Sequence, residues 1–125
     1  LYRSFKNKPD EWRFLPALHI DSAIDTAGAG DWCSAGIIHT LYENVDTSIL
    51  ASLTITQLEQ VLVFGQFLRS LNCNFYGARG LMYNLSYEEI TKLYTTYKKE
   101  KKIELKKKEP GFTLNNTPFD LTKLL

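Results

Sequence analysis

The chain has little cysteine and lacks a long apolar run, and each shortage excludes a class of protein. Its two cysteines, Cys33 and Cys73, are too few and too far apart for a disulfide scaffold, and neither has the neighbours that a zinc site needs. The longest apolar stretch, 58–71, is interrupted by polar residues and falls short of the roughly 20 apolar residues of a membrane-spanning helix. We therefore expect a cytoplasmic protein in a reducing compartment, with no membrane partner.

The start of the sequence also lacks a methionine and an apolar leader. It opens on Leu1–Arg3 and continues with polar residues, so we expect no secretory signal peptide. The missing methionine leads us to expect that the chain is an excerpt from a longer protein.

Neither sign of charge predominates over the whole chain, because it has 15 basic and 14 acidic residues. Seven lysines and three glutamates nevertheless lie together between Lys98 and Glu109, which leaves the rest of the chain net acidic. The chain as a whole therefore lacks the excess of basic residues that is typical of nucleic-acid-binding domains, and we expect no nucleic-acid partner. The lysine run itself is typical of a solvated helix end.

The 125 residues, 44% of them hydrophobic and 23% charged, suit one soluble domain. Apolar periodicity and capping boxes predict three helices, from Asp31 to about Tyr42, from a box at Thr56–Glu59 to about Leu71, and from a box at Ser86–Glu89 to Tyr97. The extended segments are a strand over Trp12–Ile20, an extended stretch or second short strand over Asp21–Ala27, and a tail over 110–125. We therefore predict an α/β protein with three to four helices and a short sheet. It forms a single partial domain over 1–125, because two or three strands make a poor sheet on their own.

Glycines mark two loops and one helix position. Gly28 and Gly30 predict a tight turn that leads into the first helix, and Gly77–Gly80 is a second glycine-bearing loop. Gly65 lies inside the second predicted helix, where glycine costs about 1 kcal/mol against alanine. A glycine there indicates close approach of another backbone or of a ligand.

The first of these turns carries the chemistry. A turn of small residues that runs into a helix presents free amides and the positive end of the helix dipole, which suits an anion. Asp31 would repel a phosphate at this place, so its carboxylate is either a helix N-cap or a general base. Spacing alone does not decide between these two roles.

The residues Asp25–Asp31 read DTAGAGD, which resembles the C-terminal signature D-T-x-G-A-G-D of the PfkB/ribokinase family of sugar kinases. The resemblance extends over roughly Phe14 to Tyr97, where a Gly-Ala loop and a capped helix follow in the family's order. It implies the C-terminal, nucleotide-side portion of a ribokinase-like three-layer α/β/α fold. The acceptor site, the lid and an N-x-x-E magnesium motif belong to the N-terminal part of the family, and this chain has no Asn followed three residues later by Glu.

The resemblance assigns phosphoryl transfer to the turn. Asp31 matches the catalytic base, which takes the proton of the acceptor hydroxyl. Gly28, Ala29 and Gly30 match the turn whose backbone amides form the anion hole for the transferring phosphoryl group. Thr26 would flank the phosphates, unless its hydroxyl only bonds its own backbone.

The resemblance also implies a monovalent cation next to the anion hole. Asp25 matches a position that binds such a cation, for example K⁺, in many members of the family. Backbone carbonyls would complete the site near Ala27, Asn72, Phe75 and Gly77. The alternative for Asp25 is a salt bridge to Arg79.

The nucleotide base is implied at neighbouring positions. Gln66 falls where the family places a residue near the adenine, or it is an exposed helix residue. Gly77 and Ala78 fall on the loop beside the base. Trp32, which directly follows Asp31, either packs the interface with the sugar side or fills the core.

The implied function is that of an ATP-dependent carbohydrate kinase, which transfers the γ-phosphate of ATP to a sugar hydroxymethyl group with Mg²⁺. The chain would hold the base and the anion hole but lack most of the sugar pocket, so we expect it to be inactive alone. Two alternatives stay open: a stand-alone nucleotide-binding or regulatory module without turnover, and a phosphate binder that uses 28–30 without chemistry. The Walker pattern is absent from the sequence, which argues against a P-loop protein.

A truncated sheet would expose an edge and apolar surface, so we predict self-association, with a homodimer as its simplest form.

Overall fold

The computed structural model describes residues 2–3, 12–20, 23–44 and 53–105, and these are dominated by helices. The elements are β1 (Tyr2–Arg3), β2 (Trp12–Arg13), α1 (Ala29–Asn44), α2 (Ile55–Asn72), α3 (Gly80–Asn84) and α4 (Tyr87–Glu100). The predicted tail over 110–125 and positions 21 and 22 of the second extended stretch lie outside the described residues.

The predicted α/β fold with a short sheet is wrong, because the described part of the chain is helical. Its β structure is limited to β1 and β2, which pair antiparallel over two residues each, Tyr2 opposite Arg13 and Arg3 opposite Trp12. Such a pair is too short to form a layer of a three-layer α/β/α fold.

Beyond β2 the predicted strand does not form, and one of its backbone donors bonds instead to a side chain of α2. The N–H of Leu18 donates to Oε1 of Gln66 at 2.8 Å. Farther along, the N–H groups of Ile24 and Asp25 both donate to the carbonyl of Cys73, at 2.8 and 3.3 Å. Pro16 has no N–H to offer a ladder. The described residues of this segment therefore lie along α2 without forming a strand beyond β2.

Helix α2 is capped two residues earlier than predicted, by a different capping box. The Thr54 hydroxyl accepts from the N–H of Gln57 at 3.2 Å, and Oε1 of Gln57 accepts from the N–H of Thr54 at 2.9 Å. Thr54 is therefore the N-cap, and the predicted box at Thr56–Glu59 is wrong. Both pairs fit the local motif equally well. The earlier start brings Ile55 into a half-buried position, which local pattern alone does not predict.

Helix α4 confirms the second predicted capping box. The Ser86 hydroxyl accepts from the N–H of Glu89 at 3.2 Å, and Oε2 of Glu89 accepts from the N–H of Ser86 at 2.8 Å. The helix continues to Glu100, beyond the predicted end at Tyr97, and stops at Lys101 in the left-handed conformation with φ of 58°. The N–H of Lys101 still reaches the carbonyl of Tyr97, at 2.8 Å.

The described lysines at the end of α4 are exposed, as expected for a solvated helix end. The ammonium groups of Lys98 and Lys101 lie over the rings of Tyr94 and Tyr97, 5.1 and 5.5 Å from the ring centroids. These cation–π contacts let the lysine stems cover aromatic surface while the charges stay in water.

The core forms where α2 meets α3 and α4. The buried cluster consists of Phe67, Leu68, Leu71, Leu81 and Tyr97. Helices α1 and α2 cross at glycines, since a Cβ at Gly36 would lie 2.8 Å from Cα of Gly65. The close backbone approach predicted for Gly65 is confirmed, and the neighbour is a helix. Within the described ranges, no helix is both long and apolar enough to cross a bilayer.

Candidate functional site

The segment Asp25–Asp31, called here the signature turn, leads directly into α1. The carbonyl of Thr26 accepts from the N–H of Ala29 at 3.1 Å, and Gly28 between them has φ of +72°, a conformation that favours glycine. The carbonyl of Gly28 then accepts from the N–H of Trp32 at 2.9 Å, which is the first hydrogen bond of the helix. The predicted turn into a helix is therefore confirmed.

Asp31 lies inside the first turn of α1 and not at its N-cap. The helix begins at Ala29, and Gly28 accepts its first hydrogen bond, so the interpretation of Asp31 as the cap is wrong. The Asp31 side chain is exposed and accepts no hydrogen bond from any described residue. Its carboxylate is therefore open to solvent at the positive end of the helix dipole.

The amides of the signature turn divide into used and unused donors. The Ala29 N–H is taken by Thr26, as above. The N–H groups of Gly30 and Asp31 have no acceptor among the residues that the structure describes. Two adjacent amides at a helix start, with no internal partner, suit an anion.

Asp25 ties the signature turn to the second glycine loop, Gly77–Gly80. Its Oδ1 accepts from the N–H of Ala27 at 2.9 Å, and its Oδ2 accepts from the N–H of Gly77 at 2.8 Å. The amide of Ala27 and then that of Gly77 stabilise the ionised form and lower the pKa of Asp25 below its usual value. No ion pair joins Asp25 to Arg79, although both residues are described, so that alternative is wrong.

Three of the four carbonyl oxygens predicted for a monovalent cation already accept hydrogen bonds. The carbonyl of Ala27 accepts from Nδ2 of Asn72, that of Asn72 from the N–H of Phe75, and that of Gly77 from the N–H of Gly80. A carbonyl oxygen keeps a second lone pair, so the donor set is compatible with a hard cation in addition to these bonds. Cation binding at Asp25 stays a prediction.

Asn72 connects the end of α2 to both loops. The residue is fully buried. Its Nδ2 donates to the carbonyl of Ala27 at 2.8 Å, and its Oδ1 accepts from the N–H of Leu81 at 3.1 Å. The sequence predicts a role only for its main-chain carbonyl, as a ligand of the monovalent cation. The signal for the side chain was an amide one residue after the apolar Leu71, in the last turn of α2.

Trp32 makes the remaining connection between the signature turn and the second glycine loop. Its indole Nε1–H donates to the carbonyl of Ala78 at 2.8 Å. Its ring is half-buried and packs against the core cluster. The loop also lies directly on Gly28, where an added Cβ would be 2.7 Å from the carbonyl oxygen of Ala78.

The structure brings together most, but not all, of the predicted site. The signature turn, Gly77 and Ala78 are in contact through the bonds above. Gln66 is engaged elsewhere, because its Oε1 holds the N–H of Leu18. It lines a groove of about 260 Å³ together with Leu15, Pro16, Ala17, Leu18, His19, Val63, Tyr97 and Lys101. The Thr26 hydroxyl bonds no described residue, so the alternative that it bonds its own backbone is wrong.

The donor set for Mg²⁺ on this chain is small. No group of three or more His, Cys, Asp or Glu side chains is close enough to hold a metal ion within the described residues. At the signature turn, Asp25 is bound to amides and Asp31 is the remaining carboxylate. The described residues therefore do not build a magnesium site by themselves.

Comparison of the chain with models of protein families, with curated proteins and with solved structures found no match.

Proposed function

We propose that this chain is the nucleotide-side part of an ATP-dependent carbohydrate kinase of the PfkB/ribokinase type. The observation that carries the proposal is the start of α1. There the amides of Gly30 and Asp31 have no acceptor among the described residues, and the same helical turn presents the exposed carboxylate of Asp31. A carboxylate beside an anion site is electrostatically unfavourable, and a role as general base would explain why this cost is tolerated. Phosphoryl transfer to an alcohol supplies such a role, because the acceptor must lose a proton next to the phosphate.

In this proposal each residue of the signature turn has a defined role. The oxygen of the sugar hydroxymethyl group forms a bond to the γ-phosphorus of ATP, and the bond from that phosphorus to the leaving ADP oxygen breaks. Asp31 takes the proton of the hydroxyl. The amides of Gly28 and Gly30 and that of Asp31 hold the phosphoryl oxygens, while Ala29, whose N–H is used by Thr26, shapes the turn.

Magnesium and nucleotide complete the proposal. Mg²⁺ neutralises phosphate charge when bound, and ligands beyond this chain's described residues would hold it. Gly77 and Ala78 contact the signature turn and would line the nucleotide, with Thr26 at the phosphates. The cysteines of the described chain are free, in keeping with the cytoplasmic location that we propose.

The first experiment is the intact mass of the native gene product. A mass far above the 14.4 kDa of this chain supports the kinase proposal, because the sugar pocket then has a place in the protein. The whole protein is next incubated with ATP, Mg²⁺ and a panel of sugars, and phosphorylated product is measured. A native product of this length that binds ATP without turnover would contradict the proposal and favour a stand-alone nucleotide-binding module.

A further inference from the structure

One residue donates hydrogen bonds to both loops of the candidate site. The backbone N–H of Trp32 donates to the carbonyl of Gly28 at 2.9 Å, and its indole Nε1–H donates to the carbonyl of Ala78 at 2.8 Å. These two carbonyls belong to the signature turn and to the second glycine loop. Trp32 therefore joins, through two hydrogen bonds from one residue, two acceptors that lie 50 positions apart in the sequence.

The indole is well suited to fix the distance between the loops. Its ring packs against the core cluster and has only two rotatable side-chain bonds, so the N–H has little freedom. Ala78 itself is exposed, and without the indole its carbonyl would bond water. The main effect of this hydrogen bond is therefore to orient the second glycine loop, since the Ala78 carbonyl is not a buried group that needs a partner.

We infer that Trp32 is a positioning residue for the signature turn. By holding Ala78 against Gly28, it keeps the turn in the conformation from which Gly30 and Asp31 present their amides. The identity of the ligand that these amides would bind depends on the proposed function. The coupling between the two loops does not, and it can be tested without any ligand.

The test uses amide hydrogen exchange of the full chain by NMR. A Trp12→Phe background leaves Trp32 as the sole tryptophan, since the sequence has two. We expect the Nε1–H of Trp32 to exchange several-fold more slowly than that of a free indole. Adding Trp32→Phe keeps an aromatic ring and removes the donor. The N–H groups of Gly77 and Gly80 should then exchange about two- to tenfold faster, the range that a hydrogen bond of about 0.5–1.5 kcal/mol gives.

Helix α4 supplies the internal control. The N–H of Lys101, bonded to Tyr97, should exchange at the same rate in both proteins. Unchanged exchange at Gly77 and Gly80 overturns the inference. If the Trp32→Phe protein does not fold, the test uses the exchange rate of the Trp32 Nε1–H in the Trp12→Phe protein. A rate as fast as that of a free indole also overturns the inference.

The ligand arm uses ATP with Mg²⁺ as the probe. We expect Trp32→Phe to weaken ATP binding by about the same two- to tenfold factor, with the helical circular dichroism signal unchanged. Faster loop exchange together with unchanged ATP affinity overturns the positioning role. If the parent chain binds no ATP, the proposed function fails, and the exchange rates of Gly77 and Gly80 alone decide the role of Trp32.

Discussion

Asp25 and Asp31 stand at the two ends of the signature turn and differ in their surroundings. Both oxygens of Asp25 accept backbone amides, one of them from the second glycine loop. Asp31 is exposed and accepts no hydrogen bond within the described residues. The first carboxylate thus connects the two loops, and the second is open to solvent.

Replacing Asp31 tests the proposed base. In the whole protein, Asp31→Asn should reduce sugar phosphorylation by about 10²- to 10⁴-fold, the usual contribution of a general base. ATP affinity should stay within about twofold, because the asparagine leaves the backbone amides in place. Glu88→Gln is the matched control, since Glu88 is an exposed carboxylate in the first turn of α4. Turnover by Asp31→Asn at the parent rate would rule out the base assignment.

The lowered pKa of Asp25 predicts a pH-dependent contribution to stability. A carboxyl whose pKa is lower in the folded than in the unfolded state stabilises the fold above the unfolded pKa, and this contribution is lost as pH falls through the folded pKa. Asp25→Asn should therefore destabilise the chain at neutral pH, and the difference from the parent should shrink below about pH 4. Urea unfolding at several pH values measures it. A difference that stays constant from pH 7 to pH 2 would contradict the prediction.

Asn72 offers a test of the buried polar link. Asn72→Ala leaves the N–H of Leu81 buried without an acceptor, so we expect a loss of about 1–3 kcal/mol in the free energy of unfolding. Asn72→Asp keeps an acceptor for Leu81 but loses the donor to Ala27 and buries a carboxylate, so we expect it too to destabilise the fold at neutral pH. Urea denaturation measures both variants. A loss below about 0.5 kcal/mol for Asn72→Ala, as at ordinary surface positions, would argue against the link.

At the scale of elements, the crossing of α1 and α2 depends on glycine. A Cβ at Gly65 would lie 2.7 Å from the carbonyl of Cys33 and 2.8 Å from Cγ1 of Ile37. The carbonyl belongs to the helix backbone and cannot move away by a rotamer change. The helices must separate to admit even a methyl group, and this cost opposes the gain in helix propensity.

Gly65→Ala should therefore destabilise the chain by about 1–3 kcal/mol, the usual cost of overpacking. Gly30→Ala is the matched control, because a Cβ there meets nothing within 4 Å and alanine favours the helix. We expect Gly30→Ala to leave the melting temperature unchanged or to raise it. Thermal unfolding by circular dichroism compares the two, and equal melting temperatures would show that the close crossing is unimportant.

The helices were predictable because their signals are local. Apolar periodicity and the Ser86–Glu89 box identify α1 and α4, with end points that shift by a few residues. The start of α2 was not predictable, because two capping motifs two residues apart fit the sequence equally well. The strand over Trp12–Ile20 does not form beyond β2, and a side chain of α2 accepts from the N–H of Leu18 instead.

At the scale of the whole molecule, several large apolar side chains are exposed. More than half of the residue surface is exposed to solvent at Phe14, Ile38, Tyr42, Tyr76, Met82, Tyr83 and Tyr87. The described β structure is only the two-residue pair of β1 and β2, but this exposed apolar surface gives a separate reason to expect self-association. We expect a species larger than a monomer at micromolar concentration in size-exclusion chromatography with light scattering. A monomer of 14.4 kDa would contradict it.

The sequence by itself determined the glycine turn, the helix that follows it and the capped helix α4. Each depends on residues within a few positions of one another, so local conformational preference is enough. Only the tertiary structure decided which groups meet at the candidate site. The bonds of Asp25 to Gly77, Trp32 to Ala78 and Asn72 to Ala27 join residues 52, 46 and 45 positions apart. Gly65 indicated that another backbone comes close to α2, but it could not indicate which distant groups the folded chain brings together.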